Sequence, residues 1–317
     1  MLLRVLVAVA IASATITGVA PNPATHGDSG EFVTVHFDEP TDTTGWTLTD
    51  GHSTAALPNR TLSGTVAFST DPEAASDRTG HPVVGLSGSL SLSNAGERVA
   101  LRADGQPVDS LAYPSAPTAE RWDGQSWTPL GATDFAPFSA SNVSVSAFAL
   151  PDDAGPPLDV VESADTRLYL AGYTFTSARV TRALVEAAGR GVDVRVLVEG
   201  GPVGGMTARQ ARLLDRLAAA GVEVRAVGGE RARVEFHHPK YAVVDGRALV
   251  LTENWKPAGT GGRDSRGWGV RIDSEAFAAE LASVFDHDAG WHDAVPWERF
   301  RAGRSFASEP AANGSFA

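Results

Sequence analysis

The sequence predicts two domains, an antiparallel β-sandwich over residues 30–135 followed by an α/β domain over residues 158–300 with a mixed sheet and helices on both faces. Three observations predict this. Short alternating apolar runs, separated by turn residues, fill the first region. Buried-type strand runs alternate with helical-period segments in the second. Between them, after one more strand from Asn142 to Leu150, lies Pro151-Asp-Asp-Ala-Gly-Pro-Pro157, so that residues 136–157 read as strand and linker.

In the first region the runs are Phe32 to Phe37, Gly45 to Leu48, Thr65 to Ser69, Leu90 to Leu92, Val99 to Leu101 and Val108 to Tyr113. Asn94-Ala95-Gly96 and Ala103-Asp104-Gly105 supply hairpin turns, because Gly and Asn tolerate the left-handed backbone that tight turns need. The histidines His36, His52 and His81 are scattered and read as ordinary sandwich or surface residues.

In the second region Leu168 to Phe175 suits a buried strand. Thr176 or Ser177 caps a helix with Val180, Leu184, Val185 and Ala188 on one face, which Gly189-Arg-Gly191 ends. Val192 to Val198 is a strand, Thr207 opens a second helix closed at Gly221, and Val222 to Val227 is the third strand. The order β-α-β-α-β demands parallel strands with right-handed crossovers. A hairpin, a strand from Gly267 to Ile272 and a helix from Ser274 complete the domain, and residues 301–317 read as a linker-like tail.

The chain is acidic, with a net charge of −12, and Arg supplies nearly all of its positive charge. That balance argues against a protein that coats nucleic acid generally, since such binding is driven by cationic surface, and leaves room for a local basic cleft. No cysteine is present, so disulfides and thiolate chemistry are excluded and each domain stands on its own core. Met1-Leu-Leu-Arg4, an apolar run through Ile11 and Ile16, and the small residues Gly18-Val19-Ala20 form the pattern of a secretory leader over residues 1–24. Left uncleaved, the same stretch is a membrane anchor. Either outcome places the protein in the cell envelope or outside the cell.

Chemistry is concentrated in Phe236-His237-His238-Pro239-Lys240-Tyr241-Ala242-Val243-Val244-Asp245-Gly246, with Thr252-Glu253-Asn254-Trp255 soon after. A strand alternates its side chains, so His238 and Lys240 share one face. A neutral imidazole can attack phosphorus or carry a proton, a lysine beside it can hold phosphate charge, and a carboxylate can fix the ring tautomer. Asp245 is the carboxylate expected for that task, re-aimed by the Asp-Gly turn. Such a set needs no metal or other cofactor. The hairpin makes a geometric demand. A three-residue loop, Asp245-Gly246-Arg247, sets Lys240 opposite Thr252 and His238 opposite Asn254; a two-residue loop sets them opposite Leu251 and Glu253 and turns Thr252 and Asn254 away. A site that uses Thr252 and Asn254 requires the longer loop.

Other candidates are weaker. Gly200 to Gly205 leaves a strand end and is read as a loop that lines the site or simply connects. Arg263 and Arg266 lie in a glycine-rich loop and read as solvated or as phosphate ligands. Asp286-His287-Asp288 with His292-Asp293 lacks the spacing of a zinc site and reads as a polar helix end. His237 points to the face opposite His238.

The run His238-Pro-Lys240 with Asp245, then Thr252-Glu-Asn254-Trp255, resembles the signature of the phospholipase D superfamily. The resemblance implies phosphodiester hydrolysis of phospholipid or nucleic acid, with His238 as nucleophile or general acid and Lys240 and Asn254 as phosphate ligands. Thr252 stands at the family's hydroxyl position, and Leu251 replaces the glycine usual there. The family's scheme uses two histidines, so a homodimer or a second such domain downstream is implied. Gly45-Trp46-Thr-Leu48, the hairpin from Leu90 to Ala103 and Arg121-Trp122-Asp-Gly-Gln-Ser-Trp127 resemble the lamin-tail domain, an immunoglobulin-like sandwich, which implies a binding module with an envelope or extracellular partner. The pairing is similar to that of exported archaeal proteins with a lamin-tail domain and two phospholipase D halves.

Overall fold

In a computed structural model, residues 14–229, 231–262 and 264–308 are described. Contacts divide them into a first unit, which ends at Thr133 and includes 231–235, and a second, which holds Asp134–Gly229 and the chain from Phe236 onward.

The first unit is a sandwich of two sheets. One runs Trp127–Pro129, Glu120–Trp122, Ala14–Ala20, Phe32–Asp42, Thr61–Ser69, Val83–Gly85; the other runs Ser87–Gly88, Thr54–Ala56, Trp46–Thr49, Glu97–Ala103, Gln106–Tyr113. Pairings are antiparallel except that of Thr61–Ser69 with Val83–Gly85. Val33, Val35, Phe37, Leu48, Phe68 and Leu101 fill the space between the sheets, as the inward half of each alternating strand should. Two expectations change. Leu90 to Leu92 is not a strand: both leucines are buried, and the Leu92 N–H is taken by the Glu31 carboxylate at 2.9 Å instead of a ladder partner. The larger change concerns the expected leader. Residues 1–13 lie outside the described residues, but Ala14–Ala20 is a sheet strand, bonded to Phe32–Asp42 on one side and Glu120–Trp122 on the other, with Ile16, Val19 and Ala20 buried.

The second unit is built on one eight-stranded sheet. We label its elements β1 (Ser144–Leu150), α1 (Pro156–Glu162), β2 (Arg167–Gly172), α2 (Ala178–Gly189), β3 (Asp193–Glu199), α3 (Ala208–Ala219), β4 (Glu223–Val227), β5 (Lys240–Val244), β6 (Arg247–Leu251), β7 (Gly267–Asp273), α4 (Glu275–Gly290), β8 (Ala294–Pro296) and α5 (Trp297–Arg301). Strand order is β1-β7-β6-β5-β2-β3-β4-β8, parallel across β2, β3 and β4 and antiparallel elsewhere. The expected β-α-β-α-β run therefore forms as read. Ser177, Thr207 and Ser274 each cap a helix, the side-chain oxygen accepting a first-turn N–H.

The helices α1, α2, α3 and α5 cover one face of the sheet, packing Val160, Leu184, Leu214 and Trp297 on Leu168, Val196, Val224 and Val244. The helix α4 lies on the other, with Ala278, Ala282 and Phe285 against Tyr169, Tyr241 and Val243. Strand Ser144–Leu150 belongs to this sheet, because Phe148 and Leu150 reach its core. The last two residues of the expected linker, Pro156 and Pro157, open α1, where proline at the first turn misses no N–H. The tail is partly docked: Ala307 bridges to Thr207 and Phe306 stacks on Trp297. Among the described residues no helix is long and apolar enough to cross a membrane.

Candidate active site

The hairpin of β5 and β6 sets the geometry. Val244 pairs with Arg247 and Tyr241 with Val250, so the loop is the two-residue Asp245-Gly246, with Asp245 in the left-handed region at φ 52°. The longer loop that a Thr252 and Asn254 site requires is absent. Carried onward, the observed register sets Lys240 opposite Leu251 and His238 toward Glu253.

His238 and Lys240 come together as expected. The Lys240 ammonium donates to His238 Nδ1 at 2.8 Å and to the His238 carbonyl at 3.0 Å. An ammonium has no lone pair, so the ring nitrogen is the acceptor and the imidazole is neutral. Desolvation, then the lysine charge, lowers the His238 pKa and favours that neutral form. Lys240 is buried while His238 is exposed, and burial also pulls the lysine pKa down, opposed by Glu253 and reinforced by Lys256. Both groups are therefore poised for proton and phosphoryl chemistry.

Asp245 is not part of this pair. It lies at the other end of β5, five residues from Lys240, about 16 Å along a strand. Its carboxylate accepts from the N–H groups of Asp165, Thr166 and Arg167 at 3.1, 2.9 and 3.0 Å and from the Thr166 hydroxyl at 2.7 Å. Burial alone would raise its pKa; the bonds from Arg167, Thr166 and Asp165 outweigh it and hold the carboxyl below its usual range. Asp245 thus closes the hairpin onto the start of β2 and cannot hold the His238 ring. Thr252 is also outside the site. Its hydroxyl accepts from the Trp268 N–H at 2.9 Å, and it is exposed on the opposite side of the sheet.

Asn254 is retained at the site end of the sheet despite the register. Beyond β6 the chain turns inward: Trp255 is fully buried, donates its indole N–H to the Ala171 carbonyl at 2.9 Å, and packs over Gly172, where a Cβ would sit 2.6 Å from the ring. That lock brings the Asn254 side-chain oxygen to the Thr174 N–H at 3.3 Å, beside the strand end that pairs with Lys240.

Three residues that sequence reading did not assign complete the surroundings. Tyr173 lies against the His238 ring, 4.2 Å between centroids, and its hydroxyl accepts from the Val203 N–H at 2.7 Å, so the Gly200 to Gly205 loop is tied to the site. Phe236 meets Tyr173 edge-on at 6.0 Å. Glu199, buried at the end of β3, accepts from the N–H groups of His237 and Gly201 at 2.7 and 2.6 Å and anchors the backbone ahead of His238. Both Tyr173 and Glu199 sit at carboxyl ends of parallel strands, where α/β sheets gather ligands, and that position was the available signal. His237 faces the other way, bonded to Asp288 of α4 at 3.1 Å. Arg266 pairs with Asp152 at 2.6 Å, and Arg263 lies outside the described residues. Among the described residues no group of three or more His, Asp or Glu is placed to hold a metal ion.

Comparison with known proteins gives one family. Residues 158–289 match the family described as cardiolipin synthase, PLD-like domain. Among solved structures, similarity is found to Nuc from Salmonella typhimurium, a phospholipase D family member, at 22% identity, covering 49% of this chain and 97% of that one with a TM-score of 0.42. NucT from Helicobacter pylori is similar at 18% identity, 49% and 99% coverage and a TM-score of 0.41. The phosphatidylserine synthase of Haemophilus influenzae Rd KW20 is similar at 13% identity, 54% and 43% coverage and a TM-score of 0.38. No curated protein matches the chain.

Proposed function

We propose that the phospholipase D-like domain is a phosphodiesterase in which His238 is the nucleophile or general acid and Lys240 and Asn254 bind the phosphate. The observation that carries this reading is the neutral His238 imidazole capped by the Lys240 ammonium at 2.8 Å. A substrate phosphate takes up the lysine's donors and releases the ring lone pair. The ring nitrogen then forms an N–P bond as the P–O bond to the leaving group breaks, and a second histidine gives that oxygen its proton. Water attacks the phosphohistidine, the N–P bond breaks, and the water's proton returns to the second histidine.

One chain holds one His-x-Lys pair in the hairpin, so the second histidine comes from a partner copy about a twofold axis or from a further domain of the same kind. The test is light scattering of the full chain with turnover of bis-nitrophenyl phosphate on the same fractions. Turnover confined to dimers supports the shared site. Monomers that bind phosphate without turnover favour a non-catalytic binding protein.

The sandwich is assigned the role of a lamin-tail-like module that attaches the enzyme to an envelope or extracellular partner, a reading supported by its motif sequence and sandwich form. For an exported chain the strand Ala14–Ala20 restricts processing. Cleavage after Ala20 removes a strand bonded on both edges, whereas cleavage after the small residues Ala12-Ser-Ala14 removes only its first residue. Amino-terminal sequencing of the exported protein is expected to read from Thr15 or an earlier residue; a start at Pro21 contradicts it.

A further inference from the structure

We propose that the sandwich carries a phosphate-binding pocket of its own, built on Arg121 and Arg78 with Thr79, His81 and Thr128 around them. All five residues belong to the first unit, so the inference stands apart from the reading of His238 and Lys240. The recess measures about 160 Å³. One water takes up about 30 Å³ in the liquid, so an oxyanion of several heavy atoms has room there.

Its floor is the outer face of the sheet that holds Ala14–Ala20 and Phe32–Asp42. Val33 and Val35 point into the sandwich, so Phe32 and Thr34 point outward, where Phe32 packs with Ala75. Arg121 crosses this face. Its Nη2 donates to the Thr17 carbonyl at 2.8 Å and the Thr34 hydroxyl at 3.3 Å, and a Cβ on Gly18 would lie 2.6 Å from its Nε, so glycine there leaves the guanidinium its place. Both acceptors are uncharged. The carboxylate whose charge acts on Arg121 is that of Asp123, and it is turned to the N–H groups of Gln125 and Ser126, each at 2.8 Å. The Arg121 Nε is buried without a hydrogen-bond partner, and among the described residues no carboxylate forms an ion pair with this guanidinium. A half-buried cation that bonds only neutral oxygens lacks the counter-charge such groups ordinarily have, and it lacks it in a chain of net charge −12. Arg78 is buried on the other wall; it donates to the Ser29 and Ala232 carbonyls at 2.7 and 3.3 Å, and its charge also reaches Asp71. The Thr79 hydroxyl accepts from the His81 N–H at 3.2 Å, which leaves its own proton for a ligand. Guanidinium forks suit phosphate oxygens, and two of them match the charge of about −1.5 to −2 on a phosphate monoester.

The His81 Hε1 resonance, assigned through His81→Gln, reports on this pocket, and that of His238 reports on the second unit, so one titration of the full chain separates the two. Inorganic phosphate, added at fixed pH and ionic strength, is expected to move the His81 resonance along a saturating curve. Arg121→Gln is expected to raise the half-saturating concentration at least about tenfold. Arg98→Gln, which removes an exposed arginine of the other sheet, leaves it in place. If Arg121→Gln does not fold, Arg121→Lys, which keeps the charge and loses the fork, is read instead; a smaller rise supports the proposal and an identical curve overturns it. Two further arms separate the sources of the phosphate. Sedimentation with phosphatidylcholine vesicles only when they carry phosphatidic acid, lost in Arg121→Gln, supports the pocket with a lipid headgroup as its ligand. Saturation by inorganic phosphate and glycerol 3-phosphate with no sedimentation supports it with a soluble phosphate. A His81 resonance that stays unmoved up to about 10 mM phosphate, that acetate moves equally, or that moves alike in native and Arg121→Gln chains overturns the proposal.

Discussion

His238→Ala is expected to lower turnover of a simple phosphodiester by at least ~10³-fold in whichever assembly is active. The loss follows from the site's geometry, in which one neutral imidazole is presented to solvent beside one buried ammonium. Water cannot replace it, because His238 is the imidazole that the Lys240 ammonium bonds, while the neighbouring His237 ring is turned to Asp288. The neighbouring His237 provides the contrast. It is bonded to Asp288 on the other face of the sheet, so His237→Ala is expected to cost about 1–3 kcal/mol of stability and to leave turnover within a few-fold where the variant is folded. The pH profile of kcat/KM carries the same assignment. A nucleophilic imidazole works when neutral, and burial and Lys240 both lower the His238 pKa, so the acid limb is expected below about pH 6.5. Equal losses for both histidine variants would remove His238 from its role.

Most of the second unit was legible because its elements state themselves twice. Val192 to Val198 alternates as a buried strand, and Thr207 caps a helix whose apolar residues recur at helical spacing; period and cap agree. His238 and Lys240 were legible for the same reason, since parity along one strand needs no knowledge of any other strand. What failed was information between strands. A hairpin's register depends on whether its turn holds two residues or three, and Asp-Gly serves either. That single residue decides whether Thr252 or Glu253 faces the imidazole. Tyr173 and Glu199 were missed because their roles come from contacts between segments thirty or more residues apart, Tyr173 with Val203 and Glu199 with His237. The amino-terminal strand was hidden by composition: Ile16, Gly18, Val19 and Ala20 suit a leader's end as well as the interior of a sandwich, and only pairing with Phe32–Asp42 and Glu120–Trp122 separates the two.

Asp245→Ala is expected to destabilise the second unit by about 2–3 kcal/mol while leaving chemistry intact, the reverse of the role its place in the motif suggests. The carboxylate satisfies three consecutive backbone donors, at Asp165, Thr166 and Arg167, and one hydroxyl. Those donors open β2, the strand that pairs with both β3 and β5, so losing their acceptor loosens the centre of the sheet at its edge furthest from His238. The magnitude stays below the sum of four bonds because part of this turn is reached by water, which partly replaces the lost acceptor. Asp245→Asn keeps one acceptor oxygen but turns an amide donor toward N–H groups, so an intermediate loss is expected. Acid supplies the sign. The folded carboxyl titrates below its unfolded value of about 3.9, so its contribution is present above that pH and is lost as pH falls through the lower, folded value. Urea unfolding of native and Asp245→Ala chains should therefore differ by a constant amount from neutral pH down to about pH 5 and converge below about pH 4. Turnover measured where both are folded should agree within a few-fold. A folded Asp245→Ala chain slowed by about a hundredfold would mean that Asp245 acts on the chemistry across the length of β5, which the bonds holding its carboxylate to residues 165–167 do not permit.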